Sequence, residues 1–234
     1  MRAKLLFLAV SALVVSASLV AQGLPDPTDE SQSATDRLLA LVERMKLEQK
    51  GIETLQASFS QTTRSELLLE DEESKGYFYY QAPDKVRWEY SEPTPKVVVI
   101  NGVNLVTWYK DLGRAERRRV GRYSDAVFKY LGASGSLETL MDYFALIVRW
   151  PESQDDPYRV RLEPRYARVE KRLKEMSLAV HGDLYVPVEL RYVEPSGDSS
   201  EYLFTGFRFN EEIPEDRFSV DLPPDVDVRV VSGG

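Results

Sequence analysis

The chain has no cysteine and only one histidine among its 234 residues. Without cysteine there can be no disulfide-stapled fold, no thiolate metal site and no lipid anchor on a cysteine of this chain. His181 lies in a Gly-containing turn with no nucleophile placed beside it by any motif, so we interpret it as a turn residue. Asp71, Glu72 and Glu73 lack the spacing of an EF-hand and are typical of a solvated loop. These patterns predict no catalytic residue, no metal and no cofactor, although a hydrolase that uses another carboxylate pair stays open.

Acidic residues outnumber basic ones: the chain has 38 aspartates and glutamates and 30 lysines and arginines, and its formal net charge is −8. An acidic protein of this kind is poorly suited to nucleic acid or to an anionic bilayer. We therefore expect no nucleic-acid partner and a freely diffusing protein, which we predict to be a monomer.

Long apolar runs are confined to the N-terminus. Arg2 and Lys4 precede an apolar run at residues 5–15 and then small residues, which is the pattern of a secretory signal peptide. Cleavage is possible after Ala17 or Ala21, and Ala21 is favoured because the mature chain then begins with a polar segment. The sequence thus predicts a signal peptide at residues 1–21, a flexible lead-in at 22–35 and one domain at 36–234, soluble in the periplasm.

The domain begins with helical spacing at residues 36–49, for which Thr35 is a plausible cap, and then changes to the period of two typical of strands. Residues 76–81 and 85–90 form two predicted strands joined by a turn at Pro83. Alternation places Val86, Trp88 and Tyr90 on one face and Arg87 on the other, but leaves open which face is concave.

Asn101-Gly102 is the strongest hairpin signal, and a two-residue turn there would pair Ile100 with Val103. The flanking strands are apolar on both faces, which indicates a sheet covered on both sides.

Two short helices are predicted at residues 124–132 and 136–144, inserted into a series of strands. Strand patterns follow at residues 145–150, 158–163, 170–180, 185–193 and 201–209, and the tail at 218–230 is predicted to form an edge strand. The predicted fold is α+β: an incomplete, strongly curved antiparallel β-barrel, or half-barrel, with a helical lid that encloses a hydrophobic cavity.

Several of these segments together resemble the periplasmic outer-membrane lipoprotein carrier family, LolA. The matching pieces follow in family order and cover nearly all of the mature chain. They are the LQASFSQ strand at residues 55–61, Gly76 with its aromatic strand, PDKVRWEY at 83–90, Pro93, the Asn101-Gly102 hairpin ending in Tyr109, the strand at 173–180, Phe218, Leu222-Pro223-Pro224 and Val226. The F-x-Q and P-x-x-x-R-W-x-Y patterns are the most specific of them.

The resemblance implies a carrier without catalytic residues or cofactor. It would take acylated lipoproteins as cargo from an inner-membrane ATP-driven exporter and deliver them to an outer-membrane receptor. A binding protein for another lipid or a glycolipid, in transport or sensing, stays open as the alternative. The candidate lining residues of the lipid cavity are Phe59, Tyr77, Tyr79, Trp88, Val98, Ile100, Leu105, Phe128, Leu140 and Phe144. Arg87 matches the family arginine that holds the lid of the empty form, which makes it the candidate lid latch.

A basic run stands out against the acidic background of the chain. Its members are Arg114, Arg117, Arg118, Arg119 and Arg122. One interpretation is a solvated hairpin edge, where charge blocks aggregation. The other is a docking patch for an acidic partner surface or for lipid phosphates.

Overall fold

The computed structural model describes residues 23–119, 141–153, 155–171 and 173–231. The predicted signal peptide and the predicted helix at residues 124–132 lie outside these ranges. The helices described are α1 (Ala34–Lys50), α2 (Ala167–Glu170) and two 3₁₀ helices at Lys110–Leu112 and Glu215–Phe218. The strands are β1 (Thr54–Arg64), β2 (Glu72–Gln81), β3 (Lys85–Glu92), β4 (Lys96–Asn101), β5 (Asn104–Tyr109), β6 (Arg114–Arg119), β7 (Phe144–Arg149), β8 (Tyr158–Pro164), β9 (Glu175–Val180), β10 (Pro187–Val193), β11 (Ser199–Phe209) and β12 (Asp227–Val231).

Helix α1 begins one residue before the predicted cap. Ser33, rather than Thr35, caps it, because the Oγ of Ser33 accepts a hydrogen bond from the backbone N–H of Asp36 at 3.2 Å. The far end of α1 is tied to the sheet by Asn210, whose Nδ2 donates to the carbonyl oxygen of Gly51 at 2.8 Å. The Oδ1 of Asn210 accepts from the N–H of Glu53 at 2.8 Å. One side chain thus links the end of α1 to the start of β1.

The described strands form one 12-stranded sheet in the order β12-β6-β5-β4-β3-β2-β1-β11-β10-β9-β8-β7. The described strand pairs are antiparallel except that of β12 with β6, which is parallel. Because β12 pairs along β6, the basic strand β6 is internal, and β12 is the edge strand that the sequence predicts.

The sheet curls toward one face. Trp88 on β3 and Tyr202 on β11 have ring centroids 5.3 Å apart, although two strands lie between β3 and β11. Three strand spacings in a flat sheet cover roughly 14 Å, so the strands must bend toward each other on the side of these rings. We call this side, which carries Trp88 and Tyr202, the inner face, and the opposite side the outer face. The predicted open, curved sheet is confirmed.

The hairpin of β4 and β5 keeps the predicted faces but not the predicted register. Asn101 pairs with Asn104 and Ile100 with Leu105, so the turn residues are Gly102 and Val103. Gly102 has φ 59°, as a Gly-X hairpin turn requires at its first position. The expected pairing of Ile100 with Val103 is therefore wrong.

The same hairpin is covered on both faces, as its sequence predicts. On the outer face, Val97 and Val99 are buried although they are separate from the inner core. The segment after β11 lies over them, since Phe218 is buried and its carbonyl oxygen accepts from the Nδ2 of Asn101 at 3.4 Å. A second, smaller apolar layer therefore lies beneath the C-terminal segment.

The strand predicted at residues 170–180 is shorter in the structure. Residues 167–170 form α2, and β9 begins only at Glu175. None of the helices within the described ranges combines the length and apolar character that crossing a membrane demands.

Candidate functional site

The inner face is a continuous apolar surface. At its centre the ring of Phe59 lies edge-on to Trp88 and to Tyr90, each with a centroid distance of 5.0 Å. Phe78 packs against Trp88 at 4.8 Å. Phe59 packs against Gly76, its partner across β1 and β2. An added Cβ at Gly76 would lie 2.9 Å from the Phe59 ring and 2.1 Å from the carbonyl oxygen of Glu89. The glycine of the aromatic strand is thus a packing requirement of this surface.

The structure places the candidate cavity residues in three groups. Phe59, Trp88, Ile100 and Phe144 are buried in the inner core, and Val98 and Leu105 are partly buried against it. Phe128 and Leu140 lie outside the described residues.

Tyr77 and Tyr79 form the third group and lie on the outer face. Tyr77 is 52% exposed, and Tyr79 pairs with Arg87. The three-residue turn at 82–84 pairs Gln81 with Lys85, which sets Phe78 opposite Trp88 and so turns Tyr77 and Tyr79 away. They are therefore not cavity-lining residues of this conformation, and this part of the expectation is corrected. Counting back from the Pro83 turn would have selected Phe78 and Tyr80 instead.

Helix α1 covers part of the inner face. Leu41, Val42 and Met45 are its buried side chains, and they meet Leu162 and Leu178 of the sheet around a cavity of about 10 Å³. A second cavity of about 40 Å³ lies beside the C-terminal end of the helix, lined by Gln49, Ile52, Leu55, Phe78, Leu178, Val186, Pro187, Leu190, Phe204 and Phe207. Ligand pockets typically enclose roughly 300–1,000 Å³. In this conformation α1 and the sheet side chains fill most of the space between them.

A wider hollow of about 370 Å³ lies over strands β7 to β11 and has a different character. Its lining includes outer-face charges such as Arg159 and Glu189, which form an ion pair at 2.9 Å. Arg161 and Glu163 form another at 2.7 Å. These pairs are about half-exposed, so this surface is solvated and unsuited to acyl chains.

The inner face becomes polar toward one end. Tyr90, Tyr192 and Tyr202 are neighbours here, and the ring centroids of Tyr192 and Tyr202 lie 6.4 Å apart. Burial raises the pKa of Tyr202, and it raises the pKa of Tyr90 to about 12 although the neighbouring Tyr202 hydroxyl acts in the opposite direction. Next to them on the same face, the Nε2 of Gln61 donates to the Oγ1 of Thr63 at 3.0 Å. Hydroxyl and amide groups thus line this end of the apolar surface.

Lys96 adds a positive charge to the polar end. Its Nζ lies 4.0 Å from the centroid of the Tyr90 ring, within cation–π range. Burial lowers the pKa of Lys96, and the charge of Glu72 offsets part of that effect. No sequence motif marks this cluster, although the alternation of Tyr90 with Trp88 already places Tyr90 on the Trp88 face.

Arg87 lies on the outer face, with its side chain 12% exposed. Its Nη1 donates to the carbonyl oxygens of Arg217 at 3.1 Å and Ser219 at 3.4 Å, and its Nε donates to Glu89 at 3.1 Å. Alternation with Trp88 on β3 forces this direction, so the face of Arg87, which the sequence left open, is the outer one. Among the described residues, its backbone acceptors belong to the C-terminal segment.

Glu89 is the common partner of the cations on this outer patch. Burial by itself would raise the pKa of Glu89, but the hydrogen bond from Arg87 and the charges of Arg87, Lys110 and Arg217 outweigh it and lower the pKa. Arg217 also stacks over Tyr79, with its Cζ 5.0 Å from the ring centroid. Tyr79, which the strand register turns to the outer face, therefore packs against a charged side chain there.

The basic run is divided between the two faces of the sheet. Arg114 and Arg118 pair with Tyr109 and Leu105 and point to the inner face, whereas Arg117 and Arg119 point to the outer face. Arg122 lies outside the described residues. The interpretation of a hairpin edge is wrong, since β6 is paired on both sides.

His181 is a turn residue, as predicted. Its Nδ1 accepts hydrogen bonds from the N–H groups of Asp183 at 3.1 Å and Leu184 at 3.3 Å. The imidazole therefore serves the local backbone of the turn before β10.

Comparison with known proteins agrees with this geometry. The family described as "Outer membrane lipoprotein carrier protein LolA" matches residues 50–221. An outer-membrane lipoprotein carrier protein of Alkalilimnicola ehrlichii is 30% identical over 238 residues, which cover 100% of this chain and 99% of the relative. A protein of the same name from Chromobacterium violaceum is 28% identical over 221 residues, covering 94% and 97% of the two chains.

Among solved structures, an uncharacterized conserved protein from Thermus thermophilus shares the fold with a TM-score of 0.51 and 14% identity. The match covers 85% of this chain and 100% of that one. At this identity the likeness concerns the fold alone. The family match and the full-length relatives confirm the resemblance found in the sequence, and the chain belongs to the LolA family of outer-membrane lipoprotein carrier proteins.

Proposed function

We propose that this protein is a periplasmic carrier that binds the acyl chains of lipoproteins released from the inner membrane and delivers them to an outer-membrane receptor. The observation that carries the proposal is the apolar inner face of the curled sheet, partly covered by α1. Membership of a lipoprotein-carrier family supports the same cargo. The source would be an ATP-driven exporter in the inner membrane.

The energetics of the cargo require such a surface. Exposing an acyl chain to water costs roughly 0.8 kcal/mol per CH₂ group, so a carrier must provide apolar surface along most of the chain. Trp88, Phe78 and Phe204 provide such surface in the middle of the inner face. The cavities of about 10 and 40 Å³ that the described residues line beside α1 are too small for acyl chains, so this part of the inner face is closed.

Loading then requires α1 to move away from the sheet. The helix contributes only a few buried side chains, mainly Leu41, Val42 and Met45. A limited contact of this kind keeps closed and open forms close enough in free energy for cargo to shift the equilibrium. We propose that α1 is one part of a helical lid, to which the helices predicted at residues 124–132 and 136–144 also belong, except that Phe144 begins β7.

The polar end of the inner face suits the head of the cargo. A triacylated lipoprotein carries ester and amide carbonyl oxygens where its acyl chains meet the protein, and these oxygens need hydrogen-bond donors. Tyr90, Tyr192, Tyr202 and Lys96 are donors in the right place. We therefore assign the acyl chains to the apolar part and the carbonyl oxygens to the tyrosine–lysine end.

The outer-facing arginines Arg117 and Arg119 are the proposed docking residues for an acidic partner surface. Both are exposed and lie on an internal strand, so their charge is not needed to protect a sheet edge. Charge across an interface mainly raises the association rate. A variant with both arginines changed to serine would then transfer cargo more slowly while it binds cargo normally.

A release assay tests the carrier function directly. The purified mature protein is added to spheroplasts that export an acylated lipoprotein, and the soluble fraction is analysed by native mass spectrometry. A one-to-one complex with the lipoprotein supports the proposal. Recovery of free lipid or glycolipid alone would support the alternative binding protein, and turnover of lipid would indicate a hydrolase. Failure to release any lipoprotein would overturn the proposed function.

A further inference from the structure

The loop between β1 and β2 exposes three consecutive leucines. Leu67 is 91% exposed, Leu69 is 104% exposed and Leu68 is 39% exposed. Single exposed apolar side chains are common on soluble proteins, but a run of three at a loop tip has no role in packing. Such a tip marks a surface that meets an apolar partner.

The loop holds a defined shape. The N–H of Leu68 donates to the carbonyl oxygen of Ser65 at 3.1 Å, and the N–H of Leu67 donates to the Oγ of Ser65 at 3.2 Å. At its base, the Nε of Arg64 pairs with Asp71 at 2.9 Å, and the Nη1 of Arg64 pairs with Glu201 of β11 at 3.1 Å. The leucines are therefore presented on a turn with an anchored stem.

Other exposed apolar side chains lie at the same end of the sheet. Leu112, between β5 and β6, is 63% exposed, and Tyr166, between β8 and β9, is 47% exposed. Strand order and direction place both connections at the end where β1 finishes. The tyrosine–lysine cluster also lies toward this end, because Lys96 begins β4 there. These exposed apolar side chains are thus spread across several strand connections near the polar end of the inner face.

We propose that this end of the sheet contacts a phospholipid bilayer of low net charge, with Leu67, Leu68 and Leu69 inserted among the acyl chains. Because these exposed apolar side chains lie far apart, they are better suited to contact a broad, deformable surface than a single pocket of a protein. Glu66 and Glu70 flank the leucines and would lie at headgroup level, where zwitterionic lipids offer ammonium groups and anionic lipids repel carboxylates. Contact at this end would bring the polar end of the inner face, proposed above for the head of the cargo, to the membrane.

The test is vesicle flotation with the cargo-free, full-length mature protein. Vesicles of phosphatidylcholine and phosphatidylethanolamine should carry the wild-type protein upward, and added phosphatidylglycerol should weaken the binding at low salt. Leu67→Ser with Leu69→Ser should lower partitioning about tenfold or more, because leucine is among the residues that insert most favourably. Val230→Ser is the matched control, since Val230 is 84% exposed on the edge strand β12. Equal flotation of the double variant and the wild type would overturn the proposal, as would absence of flotation with every vesicle.

A site-specific label identifies the inserted residues. Because the chain has no cysteine, an environment-sensitive dye can be attached at L68C alone. Its emission should shift to the blue on zwitterionic vesicles, whereas the same dye at V103C, in the turn at the opposite end of the sheet, should not shift. A shift at both positions would mean general adsorption and would contradict the proposal. Neither measurement depends on acyl-chain binding, so failure here is distinguishable from failure of the carrier function.

Discussion

Arg87 donates a hydrogen bond from Nη1 to the carbonyl oxygen of Arg217 at 3.1 Å, across 130 positions of sequence. This bond joins a central strand of the sheet to the segment that covers its outer face. The salt bridge from the Nζ of Lys85 to Glu215, at 2.7 Å, fastens the same segment at a more exposed point.

Arg87→Leu should loosen the C-terminal segment rather than the inner face. Hydrogen bonds from a charged group contribute about 1.5–3 kcal/mol each, and Arg87→Leu removes the donor to the carbonyl oxygens of Arg217 and Ser219. Hydrogen exchange of the amides at residues 215–219 should become faster. Lys85→Met is the control, because Glu215 is 77% exposed in its ion pair and the exchange should hardly change. Equal exchange in Arg87→Leu and the wild type would contradict the assignment.

Glu89, paired with cations on the outer face, should make the free energy of unfolding depend on pH in the acidic range. Its folded pKa is lowered, so its stabilisation is complete above the unfolded pKa of about 4.3 and is lost as pH falls through the folded pKa. The difference in unfolding free energy between wild type and Glu89→Gln, measured in urea, should be constant above pH 5.5 and shrink below pH 4. A difference that does not change with pH would rule out this contribution.

Gly76→Ala should be among the most damaging small substitutions in the chain. The new Cβ would lie 2.1 Å from the carbonyl oxygen of Glu89 and 2.9 Å from the Phe59 ring, so β2 and β3 would have to separate. Overpacking of this kind costs about 1–3 kcal/mol, and a backbone clash belongs at the upper end. Gly51→Ala is the matched control, since its φ is −82° and its nearest contact is 3.5 Å. Comparable melting temperatures for the two variants would contradict this packing.

Fixing α1 to the sheet should block loading. Met45 on α1 and Leu178 on β9 line the same small cavity, and the chain has no native cysteine to interfere with an engineered pair. The M45C and L178C double variant, once joined by a short cleavable thiol cross-linker, should fail to take up acylated cargo and should recover when the cross-linker is cleaved. Uptake that is the same in both states would show that α1 stays in place during loading.

Tyr202→Phe should weaken the binding of carbonyl groups at the polar end of the inner face and leave the binding of acyl chains to its apolar part unchanged. The variant loses the hydroxyl that lies beside Tyr90 and Tyr192, and with it one hydrogen-bond donor of the polar end. Binding of a diacylglycerol probe should weaken more than binding of an alkane probe, because only the former has carbonyl oxygens. Tyr77→Phe, on the exposed outer face, should change neither affinity.

Much of the sheet could be predicted from alternation and turn chemistry. Trp88 and Phe59 lie on the apolar inner face, and the clear alternation of their strands already sets them on an apolar surface. The prediction for Tyr77 and Tyr79 is wrong because residues 77–80 are all aromatic, and a strand without alternation does not show which face is inner. Only the pairing with Lys85 across the Pro83 turn settles that choice.

The hydrogen bonds between Arg87 and the C-terminal segment could not be predicted from the sequence. Nothing in the local pattern of residues 215–219 indicates that their carbonyl oxygens meet a side chain on β3. Contacts between distant segments depend on the closed tertiary structure. The same holds for Tyr90, Tyr192 and Tyr202, which come from strands β3, β10 and β11 and meet only in the folded sheet.

The hydrogen bonds of the Asn210 side chain with Gly51 and Glu53 favour one geometry of opening. They tie Gly51 and Glu53 to the end of β11, so we expect the C-terminal end of α1 to stay attached when the rest of the helix moves. The helix would then swing about this point rather than slide along the sheet. Its N-terminal half would move farthest, so the space near Leu38 and Leu41 would open first and the larger cavity beside Ile52 last.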